Sequence, residues 1–170
     1  MTDPNEELRR AIQEAQQGGP PPLAPFGLVL HFDGHWTHEG QPITNQKIRQ
    51  LFDRSVRFLP EEGKYVVQVG RFRGEIECEE AAFFVRCFDP EDGTLSLSDQ
   101  SSERLDPSTL TLSERDGALL CCIKKDLSPG GHRARFLHAA HAELLNAVEE
   151  IEGAPMLCFG GKPHPLPALG

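Results

Sequence analysis

The stretch Val29-Leu30-His31-Phe32-Asp33-Gly34-His35-Trp36-Thr37-His38-Glu39-Gly40-Gln41-Pro42-Ile43 decides how the chain folds. An extended apolar run, Leu28 to Phe32, meets Asp33-Gly34, a pair suited to the positive φ angles of a tight hairpin. A two-residue loop there sets Phe32 opposite His35 and His31 opposite Trp36. The returning strand carries the only tryptophan. Glu39-Gly40-Gln41-Pro42 bends the chain again, because Pro42 pushes Gln41 out of the helical region. Thr44 is a good helix cap, and Ile48, Leu51, Phe52, Val56 and Leu59 recur at helical spacing. Pro60-Glu61-Glu62-Gly63 ends that helix.

Downstream, hydrophobic alternation predicts a succession of strands. They are Lys64–Val69, Arg73–Cys78, a continuous apolar strand over Ala82–Phe88, and Thr94–Leu97 beyond the turn Pro90-Glu91-Asp92-Gly93. Ser98–Pro107 reads as a long polar loop. Asp116-Gly117 makes a second clear hairpin between Thr109–Ser113 and Ala118–Ile123. Arg133–Phe136 is a short strand, His138–Glu152 a helix closed by Gly153, and Met156–Phe159 a last strand. Upstream, residues 3–17 suit a short helix capped by Asp3, stopped by Gly18-Gly19 and followed by the stiff run Pro20-Pro21-Pro22. Strands in meander order with few helices indicate an α+β fold with antiparallel sheets. The expected layout is a helix and proline linker over 1–25, an α+β subdomain over 26–90, a second over 91–166, and a loose tail over 167–170.

Composition bounds the function. The chain has 170 residues and a formal net charge of −9, which opposes a generic nucleic-acid surface, since phosphate contacts need local positive charge. The N-terminus lacks the apolar core of a signal peptide, and no run approaches the roughly 18 apolar residues that span a bilayer. Five cysteines, odd in number and without a C-x-x-C pair, read as reduced thiols, so a cytoplasmic protein is expected.

Each constellation that suggests chemistry has a plainer reading beside it. His31, His35 and His38 gather around the Asp33-Gly34 turn, but no H-E-x-x-H or thiolate spacing accompanies them, so no metal is assigned. His138 and His141 share a helix face. Glu75, Glu77 and Glu79 would line one side of a strand, the usual pattern of a solvated sheet face. No G-x-S-x-G elbow or phosphate loop is present, and no cofactor is expected. Arginines are the more useful hint: Arg71 and Arg73 flank a turn, and Arg133 and Arg135 alternate along a strand. Their forks suit carboxylate or phosphate, which leaves ion pairing with Glu and Asp or capture of a small anion.

The block Asp33-Gly34-His35-Trp36-Thr37-His38-Glu39-Gly40-Gln41-Pro42-Ile43, then Leu51-Phe52 and Lys64-Tyr65, resembles an uncharacterised bacterial family, a domain of unknown function. Glu80-Ala81-Ala82-Phe83, Gly131-His132-Arg133-Ala134-Arg135-Phe136 and Phe159-Gly160-Gly161 extend the likeness over about residues 27–166. The chain departs from the family's pattern at Ser98-Asp99 and at Phe159. The resemblance implies a duplicated α+β core whose second subdomain is similar to a pleckstrin-homology barrel. It also implies a nucleotide-like ligand between subdomains and a role in signalling.

The expectation is therefore a non-catalytic ligand-binding or signalling module, with Trp36 as an apolar wall, Glu39 beside it, and Arg71, Arg73 and Arg135 as anion contacts. A protein–protein adaptor using a sheet edge or the last helix is the alternative, and an enzyme built on the histidines with Glu77 and Glu79 is a third.

Overall fold

The structure, a computed structural model, describes residues 4–15 and 24–169. The expected cap Asp3, the stop Gly18-Gly19 and the connector Pro20–Pro22 lie outside these residues. Two units divide between Ala82 and Phe83, eight residues before the boundary expected after Pro90. The difference has a simple cause: the strand that starts at Phe83 pairs wholly within the second unit.

The first unit holds α1 (Pro4–Ala15), β1 (Ala24–Leu30), β2 (Trp36–His38), β3 (Gln41–Pro42), α2 (Gln46–Ser55), β4 (Val56–Leu59), β5 (Lys64–Val69) and β6 (Phe72–Cys78). Its six strands run in the order β3-β2-β1-β6-β5-β4. Register places Leu28 beside Ile76, Leu30 beside Trp36, and Val67 beside both Val56 and Gly74, so these residues share one sheet face. Leu28, Leu30, Trp36, Phe52, Val56, Val67, Phe72 and Ile76 are buried. Burying each large apolar side chain contributes about 1.5–3 kcal/mol, which makes this face the unit's main source of stability.

The second unit holds β7 (Phe83–Asp89), β8 (Thr94–Leu97), β9 (Ser102–Arg104), β10 (Thr111–Leu112), β11 (Leu119–Ile123), β12 (His132–Phe136), α3 (His138–Asn146), β13 (Val148–Ile151), β14 (Ala154–Phe159) and β15 (Lys162–Pro165). One sheet runs β10-β11-β12-β7-β8-β9, and β13-β14-β15 form a separate small sheet. Phe83, Val85, Leu97, Cys121, Ala134 and Phe136 fall on one face by register, and all are buried. Helix α3 lies against β7 and β12 and buries Ala140 and Leu144.

The α+β class holds, and the two large sheets repeat one plan. In each, two three-stranded antiparallel meanders join through the first strand of one and the last strand of the other. That joining pair is parallel, β1 with β6 and β7 with β12. The expectation of wholly antiparallel sheets is thus corrected at one pair per sheet. Hairpin turns announce antiparallel neighbours in a sequence, whereas strands this far apart leave no local mark. Between the meanders stands α2 in the first unit and only a short 3-10 turn, Pro107–Thr109, in the second.

Several local readings change. The β1–β2 loop is longer than two residues: Leu30 pairs with Trp36, the His31 N–H donates to the His35 carbonyl at 2.9 Å, and Gly34 takes φ +93°. Asn45, not Thr44, caps α2, its side chain accepting from the Ile48 N–H at 3.1 Å. Helix α2 stops at Ser55, and β-branched Val56 starts β4. Helix α3 likewise ends at Asn146, and Val148–Ile151 is a strand. Gly153 belongs to the turn Glu152-Gly153, where φ is +53° and +79°, so a tight two-residue hairpin stands where a helix end was expected.

Candidate functional site

Trp36 is fully enclosed, at 0% exposure. Its ring meets Phe52 edge-on with centroids 5.4 Å apart, and its indole N–H donates to Asp53 Oδ1 at 2.9 Å. Strand β2 supplies one half of this contact and α2 the other. A side chain so covered offers no wall to a ligand, which corrects the role expected of it. Glu39 is exposed on the bend after β2, in the left-handed region at φ +49°, and its N–H donates to the Gly27 carbonyl at 2.9 Å. Its side chain is free to face solvent while its backbone fixes the bend.

Arg135 is also removed from the contact set. It is 8% exposed, and Nη1 donates to Asp116 Oδ1 at 3.1 Å while Nη2 donates to Asp116 Oδ2. The guanidinium beside Asp116 holds that carboxyl below the usual carboxylate range. The Asp116-Gly117 hairpin and β12 therefore lock together through a two-pronged pair. Arg135 lies in the second unit, Arg71 and Arg73 in the first.

Gly70-Arg71 forms the two-residue turn between β5 and β6, with Gly70 at φ +58° and Val69 opposite Phe72. Arg71 is exposed there. Arg73 stands opposite Gln68 and shares a face with Glu75 and Glu77, since alternate strand residues point the same way. It is half-buried and has no carboxylate partner among the described residues. Glu75 is engaged by Lys64, 3.3 Å away. A hollow of about 310 Å³ opens along β1 and β6 beside it, lined by Gly27, Leu28, Glu75, Ile76 and Glu77. It lies where the β1–β6 register shifts between Pro25 and Leu28.

The histidines gather differently from the expected pattern. His31 and His35 stack with centroids 4.1 Å apart and planes within 2°. His31 Nδ1 contacts Glu79 Oε1 at 2.8 Å and its Nε2 contacts Thr37 Oγ1 at 2.9 Å; His35 Nδ1 pairs with Asp33 Oδ1. Glu79 lies beyond β6 and turns back to accept from the Phe32 N–H at 3.0 Å, so it leaves the row expected with Glu75 and Glu77. Glu79, His31 and Thr37 have the order of a carboxylate–imidazole–hydroxyl relay. Thr37 is only 8% exposed, however, and its hydroxyl is engaged by the imidazole. The relay ties the hairpin tip to the end of β6. His38 is 4% exposed with Nδ1 unpartnered, and among the described residues no group of three or more His, Cys, Asp or Glu is placed to hold a metal.

A second polar cluster, in the other unit, was not foreseen. Lys124 Nζ lies 2.9 Å from Asp99 Oδ2, 3.0 Å from Ser101 Oγ and 5.2 Å from the centre of the Phe83 ring. Burial works against the Asp99 charge, but hydrogen bonds from Ser101 and Lys124 outweigh it and lower the pKa. Lys124 and Gln100 both adopt positive φ, at +52° and +69°. The cluster pins the β8–β9 turn to the end of β11. Its one signal in the sequence is the departure at Ser98-Asp99.

All five cysteines are unpaired. Burial, with Glu77 nearby, pushes the Cys78 thiol up to about 12; burial, with Cys122 and Glu103 nearby, does the same to Cys121. Neither is a ready nucleophile.

No family model and no curated protein matches the chain. Its fold is that of a solved DUF1285 family protein, in line with the resemblance noted in the sequence. The protein from Silicibacter pomeroyi is 17% identical, with 94% of this chain and 93% of that chain covered at a TM-score of 0.59. One from Shewanella baltica is 15% identical, with 72% and 92% covered at a TM-score of 0.48.

Proposed function

We propose that this chain is a non-catalytic, cytoplasmic ligand-binding or signalling module that takes a small nucleotide-like anion at the β5–β6 turn of its first unit. The observation that carries this reading is Arg73, a half-buried arginine with no carboxylate partner among the described residues. A guanidinium fork binds phosphate or carboxylate oxygens in pairs, and one without a carboxylate neighbour is open to an anion. Arg71, one residue past the glycine of the same turn, supplies a second cation, and Gln68 opposite Arg73 supplies an amide. Glu75 is partly neutralised by Lys64, which reduces its repulsion of an anion. Unpaired cysteines accord with a reducing compartment. The pleckstrin-homology-like reading of the second unit belongs to the same proposal, motivated by the late helix α3 packed on β7 and β12. Titrating nucleoside mono-, di- and triphosphates against thermal unfolding tests it. A bound anion raises the melting temperature by mass action, equivalent to about 2.7 kcal/mol at a hundredfold excess over Kd.

A second reading, a protein–protein adaptor, is favoured by one observation. Leu145 on α3 is 57% exposed and Ile151, on the outer strand β13 of the small sheet, is 36% exposed.

A further inference from the structure

We infer that the free edge of β13 is a docking strand for an extended cationic peptide, an inference that deepens the adaptor reading and is independent of Arg73. Strand β13 is the outer strand of the β13-β14-β15 sheet: β14 pairs with one side, and no described strand pairs with the other. Its unpaired N–H and C=O groups form a template for one more strand. The opposite edge, β15, is interrupted by Pro163 and Pro165, which lack the N–H that a ladder requires.

Side-chain chemistry selects the occupant. Register places Glu149 opposite Met156 and Ile151 opposite Ala154, so Glu149 and Ile151 share a face with Met156. On that side a groove of about 390 Å³ is lined by Glu149, Ile151, Cys158, Phe159, Lys162 and Pro163, among others. Glu149, Glu150 and Glu152 are exposed, and no lysine or arginine occurs from His138 to Gly161. A second copy of this edge would set carboxylates against carboxylates, which opposes self-pairing. A strand alternating cationic and apolar residues answers both features: with its cations on the Glu150 face, its apolar side chains lie on the opposite face, over Ile151 and the groove.

The test uses the full chain and short synthetic peptides alternating lysine with valine or glutamate with valine. Binding is followed by fluorescence anisotropy, and hydrogen exchange of the β13 amides by mass spectrometry. The lysine peptide is expected to bind about tenfold or more tightly than the glutamate peptide, to weaken with added salt, and to slow exchange in β13. The double variant Glu149→Lys, Glu150→Lys, which alters only exposed positions, should reverse that preference with an unchanged circular-dichroism spectrum. Equal binding of both peptides, unaltered β13 exchange, or an unchanged preference in the variant would overturn the inference. So would sedimentation showing that the chain self-associates through this edge. None of these results bears on nucleotide titrations at Arg73, so the two proposals fail separately.

Discussion

Trp36 and Asp53 are joined by a hydrogen bond of 2.9 Å from the indole N–H to a carboxylate oxygen, between a three-residue strand and the helix that follows it. That bond, with the edge-on contact to Phe52, makes the tryptophan the fastener of the first unit. Replacing Trp36 with Ala should cost about 3–5 kcal/mol, and replacing it with Phe, which keeps much of the ring but loses the donor, about 1–3 kcal/mol. Urea unfolding measures both. A Trp36→Phe variant as stable as the parent would show that the indole bond contributes nothing.

The cap of α2 offers a sharper comparison. Asn45 accepts from the Ile48 N–H, so Asn45→Ala should destabilise the chain by about 1 kcal/mol, whereas Thr44→Ala should change little. Paired denaturation curves decide between these neighbours, and a larger loss at Thr44 would reverse the assignment.

Gly93 sits at φ +78° in the β7–β8 turn, and a Cβ there would enter the Phe159 ring. Gly93→Ala combines backbone strain with overpacking. It should destabilise the second unit by about 1–3 kcal/mol or more, read from its melting temperature. Gly117, also at positive φ but with nothing near its Cβ position, is the control: strain alone should make Gly117→Ala the milder change.

Acid should weaken the second unit at a particular pair. Hydrogen bonds from Lys125 and Ser108 bring the Asp106 carboxyl down to about 2. A folded pKa below the unfolded value near 4 gives stability that is fully present above that value and lost as pH falls toward 2. Asp106→Asn should therefore flatten part of the decline in stability between about pH 4 and pH 2. Melting temperatures across that range check it, and identical slopes would remove Asp106 from the account.

The legible part of the molecule was whatever the chain states locally. Asp33-Gly34, Asp116-Gly117 and Gly160-Gly161 mark real turns, and the apolar run from Ala82 marks a central strand. Helix ends were harder, because Val56 and Val148 continue an apolar pattern that suits either state until the partner strand is known. Long-range pairing was out of reach. Arg135 meets Asp116 across nineteen residues, and His31 meets Glu79 across forty-eight, with nothing in either neighbourhood to announce it. The candidate site suffered accordingly: arginines that alternate along strands look alike in sequence, and only the fold distinguishes Arg135, whose fork is filled, from Arg73.

That distinction is the centre of the proposed function, and calorimetric titration of nucleotides into the parent chain and into Arg73→Ala tests it most directly. Heat of binding is expected for the parent, with a loss of about tenfold or more in affinity for Arg73→Ala and little change for Arg135→Lys among variants that remain folded. No binding by the parent near millimolar nucleotide, or binding that survives undiminished without Arg73, would contradict it.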